Sequence, residues 1–153
     1  MHLMPMPADR ELEVRALFKA CHPNWPEQPA GFYDQATRTI VALDGDELVG
    51  FTGYSLEMSQ DGVRVMVGRD VCVSPTHQGK GLGMALCLER LRIAKVLGMK
   101  AFVGSTDAEG NEPMRRLFEK LGAHYLKTIA GPLIGYEDRA PRDLYAIYFP
   151  ENA

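Results

Sequence analysis

Residues Val71 to Ala85 read V-C-V-S-P-T-H-Q-G-K-G-L-G-M-A. A β-rich apolar run stops at Pro75, crosses a glycine-dense turn and re-emerges as a helix. Glycines at the alternate positions 79, 81 and 83 open backbone angles closed to residues with a Cβ, and leave nothing to keep a ligand off the chain. The amides of such a loop and of the first helical turn have no partner within the helix. They converge on an anion, with the positive end of the helix dipole behind them. The stretch reads as a phosphate cradle.

Spacing narrows which phosphate. A dinucleotide fold needs G-x-G-x-x-G directly after the first strand, whereas this chain has G-x-G-x-G well inside it. A nucleoside triphosphate loop needs G-x-x-x-x-G-K followed by Ser or Thr, and Gly79-Lys80 is followed by Gly81. The pattern that fits is V-x-V-x-P-x-x-Q-x-x-G-x-G, carried by Val71, Val73, Pro75, Gln78, Gly81 and Gly83. It resembles the coenzyme A signature of the GNAT superfamily of acyl-CoA-dependent N-acyltransferases. A glycine-rich strand-to-helix turn without a ligand gives the same short pattern.

The bulk numbers set bounds. At 153 residues the chain suits one domain, 1–153, able to bury a core without staples. Hydrophobic and charged fractions of 46% and 24% are those of an ordinary globular protein. No apolar run reaches the ~18 residues of a membrane span, and no secretory leader is visible, so no membrane partner is expected. The three cysteines, Cys21, Cys72 and Cys87, lack C-x-x-C spacing. That argues against a disulfide frame or metal site and points to the cytoplasm. A net charge of −3 gives no basic face for nucleic acid. Arg90, Arg92 and Lys95, like Arg115, Arg116 and Lys120, read as solvated helix faces, with proximity to a coenzyme 3′-phosphate as the minority reading.

Periodicity outlines the elements. Residues 2–6 form an edge strand, since Pro5 cannot donate to a ladder. Asp9 caps a helix to about Ala20 that carries Val14, Leu17, Phe18 and Cys21 on one face. A short helical piece covers 27–34. Strands at Thr37–Leu43, Glu47–Glu57 and Val63–Val73, turning at Asp44-Gly45 and Ser59–Gly62, make an antiparallel meander. A helix from about Gly81 to Leu97 ends at Gly98, a strand covers Lys100–Ser105, and a second helix runs from Asn111 to Leu121. Strands at His124–Thr128 and Asp143–Phe149 flank an excursion from Gly131 to Pro141. The class is α+β, helices on a mixed sheet.

This order is also the one the GNAT proteins show. A second landmark accompanies it: Asn111 to Gly122, N-E-P-M-R-R-L-F-E-K-L-G, resembles the family block N-x-x-A-x-x-L-Y-x-K-L-G-F. The resemblance therefore implies a mostly antiparallel mixed sheet, flanked by helices, whose central strand pair splays. It also implies N-acetyl transfer from acetyl-CoA, without metal, to a primary amine of a small molecule or protein. In the family the pantetheine arm lies along the strand, here Val71, Cys72 and Val73. The diphosphate sits on the amides of Gly79, Lys80, Gly81, Leu82, Gly83 and Met84, with Gln78 at the entry. Asn111 contacts the coenzyme or simply caps its helix, two compatible roles. A homodimer is plausible from the resemblance alone.

Catalysis is the less regular part. Acyl transfer needs a base for the amine, amides for the oxyanion and, ideally, an acid for the thiolate. By resemblance the amide of Val73 or Cys72 is the oxyanion donor. The family's usual acid is a Tyr where this chain has Phe118, which keeps its place beside the coenzyme but cannot give a proton; Tyr125 is the alternative acid. Asp70 is the nearest candidate base, with Asp107 and Glu109 after the next strand. His77 reads as a side chain over the coenzyme, and Cys72 as a buried filler. The acceptor pocket is expected among Trp25, Phe32, Tyr33, Tyr54 and Tyr136. The competing class is a non-catalytic acyl-CoA binding module, for which Phe118 and the lack of an obvious base speak.

Overall fold

Continuous burial of Thr39–Ala42 and of Val49–Ser55, strands covered on both faces, builds the first part of the sheet. In the computed structural model, which describes residues 1–129 and 141–150, β1 (His2–Pro5) pairs antiparallel with β2 (Arg38–Asp44). β2 turns through Gly45, at φ 62°, into β3 (Glu47–Met58), and Ser59–Gly62 lead on to β4 (Arg64–Val73). With β5 (Ala101–Asp107), β6 (His124–Ile129) and β7 (Arg142–Tyr148) the sheet order is β1-β2-β3-β4-β5-β7-β6. The ladder of β4 on β5 is parallel and short, Val65 to Val67 facing Ala101 to Val103. β5 with β7, and β6 with β7, are antiparallel. This is the expected α+β class: a mixed, mostly antiparallel sheet flanked by helices.

Contacts divide the chain into two units. The first comprises Met1–Ser55 and Gly68–Ile93. Its core joins Val14, Leu17 and Phe18 of α1 (Glu11–Cys21) to Tyr33, Val41, Phe51 and Cys72. The other face of β3 receives α2 (Leu82–Val96), which buries Leu82, Leu86, Cys87, Arg90 and Leu91 at helical spacing. Gly50 allows that approach, because a Cβ there would stand 3.2 Å from both Leu82 Cδ2 and the Cys72 carbonyl. The second unit comprises Leu56–Val67 and Ala94–Ala153. In it α3 (Glu112–Lys120) buries Phe118, which stacks on Tyr145 of β7 with ring centroids 4.8 Å apart.

Local departures from the sequence reading have identifiable causes. Asp9 caps nothing: Ala8–Arg10 form a 3₁₀ turn, closed by the Arg10 amide on the Pro7 carbonyl at 3.0 Å, and α1 starts at Glu11. The helical piece expected at 27–34 is a five-residue π turn at Phe32–Ala36. Pro26 and Pro29 exclude regular helix before it, and Gly31 at φ 78° breaks the right-handed course. β5 runs on to Asp107 because Arg142 of β7 pairs there. Residues 130–140, with Tyr136 and most of the Gly131–Pro141 excursion, lie outside the described residues.

Candidate active site

The glycine loop has the backbone its sequence requires. Gly79 and Gly81 stand at φ 76° and 82°, and among the described residues no atom beyond their chain neighbours lies within 4 Å of where a Cβ would be. Gly83 lies within α2. Ala85 is the first amide to find a helical carbonyl, that of Gly81 at 3.0 Å. Among the described residues no backbone carbonyl receives the amides of Gly79 to Met84. Lys80 is exposed and Leu82 buries its side chain, so Leu82 can offer a ligand only main chain. Gln78 ties the loop to its strand, its Nε2 donating to the Val73 carbonyl at 3.1 Å. His77 is not over the loop: its ring bonds Asp44 Oδ2 at 3.0 Å and Thr76 Oγ1 at 2.8 Å.

β4 contains a bulge that sequence alone did not reveal. The Thr52 hydroxyl reaches two consecutive carbonyls, Asp70 at 2.5 Å and Arg69 at 3.3 Å, which regular alternation forbids. Arg69 Cβ would lie 3.4 Å from a Cβ on Gly53, hence on the face of β3 that also carries Phe51. Cys72 packs with Phe51 on that same face, three residues later. An odd spacing on one face means one extra residue at Arg69–Asp70. The bulge is clamped from α2: Arg90, 2% exposed, donates from Nη1 to the carbonyls of Arg69 (2.7 Å) and Gly53 (3.2 Å), and from Nη2 to Cys87 Sγ (3.3 Å). Arg90 is therefore no solvated cation. Arg92, which is exposed, pairs with Glu89 instead.

The bulge sets which groups each β4 residue presents. The Ser74 amide donates to Val49 of β3 at 2.8 Å, so Ser74 and Cys72 direct their main-chain groups toward β3. By alternation Val71 and Val73 direct theirs to the opposite edge. Of the two expected oxyanion donors, Val73 has the matching direction and Cys72 does not. Asp70, half-buried, comes onto the α1 face, where its charge acts on the thiols of Cys21 and Cys72.

In the second unit the remaining candidates are differently occupied. Asn111 is exposed at φ 48°, and its side chain makes no cap bond; its carbonyl instead accepts the Met114 and Arg115 amides at 3.1 and 3.3 Å. Phe118 is 2% exposed, and a Cβ on Gly104 would stand 2.8 Å from its Cζ. The ring is a packing element with its para carbon against β5, and no face of it is open beside a coenzyme. Thr128 donates to Asp143 Oδ1 at 2.6 Å, so the 2.6 Å bond between Tyr125 and Thr128 uses the phenol proton. Tyr125 thus spends its proton on Thr128 of its own strand, and Thr128 in turn ties β6 to Asp143 of β7. Asp107 pairs with Arg142 at 2.6 Å, and Arg142 also holds Ser105, an arrangement that makes Asp107 a counter-ion.

The aromatics named for the acceptor separate. Phe18, Trp25 and Tyr33 line a cavity of about 280 Å³ together with Arg15, Lys19 and Gln28. Trp25 stacks on His22 at 3.6 Å, and the Arg15 guanidinium lies over Tyr33. Phe32 packs edge-on against Tyr33, and Tyr54 lines a different, wider groove. Among the described residues no cluster of three His, Cys, Asp or Glu could hold a metal ion, and no helix is long and apolar enough to cross a membrane. Arg90, Thr52 and Arg142 were not singled out as site-shaping residues by sequence reasoning. A cation three residues after Cys87, on the apolar stripe of α2, was the available signal for Arg90.

Comparison with known proteins agrees with this geometry. Residues 9–123 match the family model described as acetyltransferase (GNAT) family. The L-methionine sulfoximine/L-methionine sulfone acetyltransferase of Salmonella typhimurium is 30% identical over 96 residues, 63% of this chain and 54% of that protein. The L-amino acid N-acyltransferase MnaT of Escherichia coli is 29% identical over the same shares. The chain thus spans about half the length of the curated relatives it matches. The structure of Arabidopsis thaliana Naa50 in complex with the bisubstrate analogue CoA-Ac-MVNAL superposes with a TM-score of 0.81 at 20% identity, covering 97% of this chain and 98% of that one. With its cradle, its bulged strand and a family match over most of its length, the chain belongs to the GNAT acetyltransferase family.

Proposed function

We propose that residues 1–153 act as one N-acetyltransferase domain, using acetyl-CoA to acetylate the primary amine of a small amino-acid-like molecule in the cytoplasm. The observation that carries this reading is the set of amides from Gly79 to Met84 that no protein carbonyl takes up among the described residues. They fit a diphosphate by charge and direction. The names of the two curated relatives support an amino acid as acceptor, and a cavity of about 280 Å³ with aromatic walls suits its side chain. Three free thiols suit a reducing compartment.

Acetyl-CoA supplies the acyl group as a thioester. The outward main-chain groups of Val71 and Val73 bind the amides of the coenzyme arm as an added strand would, and Asn111 is a further coenzyme contact. The Val73 amide donates to the carbonyl oxygen as negative charge gathers there. An amine as basic as a lysine side chain, pKa ~10.4, costs roughly 4.6 kcal/mol to deprotonate at pH 7, and an α-amine costs less. Asp70, on the α1 face, takes that proton directly or through one water as the nitrogen–carbon bond forms, and the carbon–sulfur bond breaks with the coenzyme leaving as a thiolate.

Calorimetry with acetyl-CoA, followed by thiol release across a panel of L-amino acids, amino-acid sulfones and N-terminal peptides, tests the reading. Saturable binding with turnover on free amino acids is expected. Asp70→Asn is expected to reduce kcat at least tenfold while leaving coenzyme affinity intact, a loss of about 1.4 kcal/mol or more in transition-state stabilisation. Absence of coenzyme binding would end the proposal, and turnover on peptides alone would reassign the acceptor.

A further inference from the structure

The end of α1 meets the reacting strand through sulfur. Cys21 is the last residue of α1, half-buried where the helix unwinds at His22. Its thiol reaches the Val73 carbonyl at 3.8 Å, within the usual range for a sulfur donor. Cys21 also packs against the core cluster in which Cys72, 1% exposed, lies with Phe18 and Tyr33, and the two thiols share a hydrogen bond. Two thiols from elements far apart in sequence are thus in hydrogen-bond contact, one open to solvent and one enclosed. Cys87, the third cysteine, lies on α2 as acceptor for Arg90 and is outside this pair.

We infer that Cys21 and Cys72 form a hydroperoxide-responsive thiol pair: Cys21 is the site of oxidation, and Cys72 closes a disulfide that ties α1 to the strand carrying Val73. The Cys21 thiolate sulfur attacks the terminal peroxide oxygen. A sulfur–oxygen bond forms, the oxygen–oxygen bond breaks, and the displaced alkoxide or hydroxide leaves as alcohol or water after taking a proton. The Cys72 sulfur then attacks the sulfenic sulfur; its own proton leaves with the displaced hydroxide as water, and the sulfur–sulfur bond forms. Two electrons pass in all, from the two thiols to the peroxide. A small dithiol reverses the change.

The division of roles follows from the contact. The hydrogen bond from Cys72 is the largest influence on Cys21 and brings its pKa down to about 7, against the opposing effects of burial and of Asp70. The same hydrogen bond, followed by burial, keeps Cys72 protonated at neutral pH. Cys21 is therefore both the more accessible and the more ionised of the two, as a peroxide-reactive thiol must be.

The test is to treat the full chain with hydrogen peroxide, block free thiols with N-ethylmaleimide and map the products by mass spectrometry. The expected result is a linked peptide pair joining Cys21 to Cys72, removed by dithiothreitol, with Cys87 alkylated. In Cys72→Ala, dimedone should instead label Cys21 as the trapped sulfenic acid. If that variant fails to fold, Cys21→Ala supplies the complement, in which Cys72 should survive peroxide as a free thiol. The rate of Cys21 alkylation by iodoacetamide should be half-maximal near pH 7 in the wild type and move toward the ordinary thiol range of ~8.5 in Cys72→Ala. Over-oxidation of Cys21 without linkage, a bridge to Cys87, or a Cys21 that stays reduced while Cys72 reacts would each overturn the inference.

Discussion

The guanidinium of Arg90 donates to the main-chain carbonyl of Arg69 at 2.7 Å, from a side chain that is 98% withdrawn from solvent. A buried cation needs strong acceptors to offset its lost hydration, and main-chain carbonyls are among those Arg90 uses. The reason lies in β4. Once an extra residue is inserted at Arg69–Asp70, the Arg69 carbonyl leaves the ladder and requires a donor from α2 or β3. Thr52 and Arg90 provide it, and in doing so hold Val73 and Asp70 in the directions the proposed chemistry needs.

Arg90→Leu should therefore destabilise the protein although it adds apolar surface to an apolar stripe. The Gly53 carbonyl loses the only side-chain donor described for it and the Arg69 carbonyl its better one, at about 1–3 kcal/mol for an unsatisfied buried acceptor. Urea unfolding measures the loss. The transfer rate should fall more than coenzyme affinity, since the glycine loop is not touched. A variant as stable as wild type would show that the bulge holds itself.

Gly81→Val tests the cradle. Among the described residues no atom beyond the chain neighbours lies within 4 Å of a Cβ at this position, so the fold should survive, as circular dichroism can verify. A β-branched residue at φ 82° costs about 1–3 kcal/mol in backbone strain, which the loop can relieve only by turning its amides away. Calorimetry should show at least a tenfold loss of acetyl-CoA affinity, about 1.4 kcal/mol. Unchanged affinity would remove Gly81 from the diphosphate site.

How much of this was legible in sequence follows from the range of each interaction. The glycine loop, the hairpin at Asp44-Gly45 and the α2 stripe are local patterns, readable because their spacing is their cause. The bulge was not: V-G-R-D-V-C-V alternates no worse than a regular strand, and only Thr52 and Arg90, distant in sequence, reveal where the extra residue sits. Asp9 misled because Pro7 offers its carbonyl to Arg10 and absorbs Asp9 into a turn. The landmark around Phe118 was visible, yet the burial of the ring depends on Gly104, which belongs to another element.

That dependence reverses a simple expectation. Restoring the family's hydroxyl with Phe118→Tyr would suggest itself as a gain in catalysis. In this structure Cζ abuts β5, so the added oxygen must displace the strand or enter a buried site whose described neighbours are Gly104, Phe102 and the Tyr145 ring. Phe118→Tyr should lower stability by about 1–3 kcal/mol, the usual cost of overpacking, and Gly104→Ala by a similar amount. Thermal unfolding of the two single variants and the double variant reads the coupling. Strict additivity would mean the two groups do not share the same space.

Asp143 should contribute to the acid limb of stability, beside Asp44 and Glu89, whose carboxyls are also held below the ordinary value. The Thr128 hydroxyl, followed by the Arg115 guanidinium at 2.7 Å, holds its carboxyl below the ordinary value of 3.8. A carboxyl whose folded pKa is depressed adds stability that is fully present above its unfolded pKa. That stability is lost as pH falls through 3.8 toward the folded value, because the unfolded chain binds the proton first. Asp143→Asn keeps an oxygen for Thr128 but loses the titration. The stability gap between wild type and Asp143→Asn should accordingly be constant near neutral pH and shrink from roughly pH 5 downward. Urea midpoints taken across that interval decide it: a gap that does not change with pH would mean that the carboxylate in contact with Arg115 and Thr128 contributes geometry alone, and that the acid transition originates in another group.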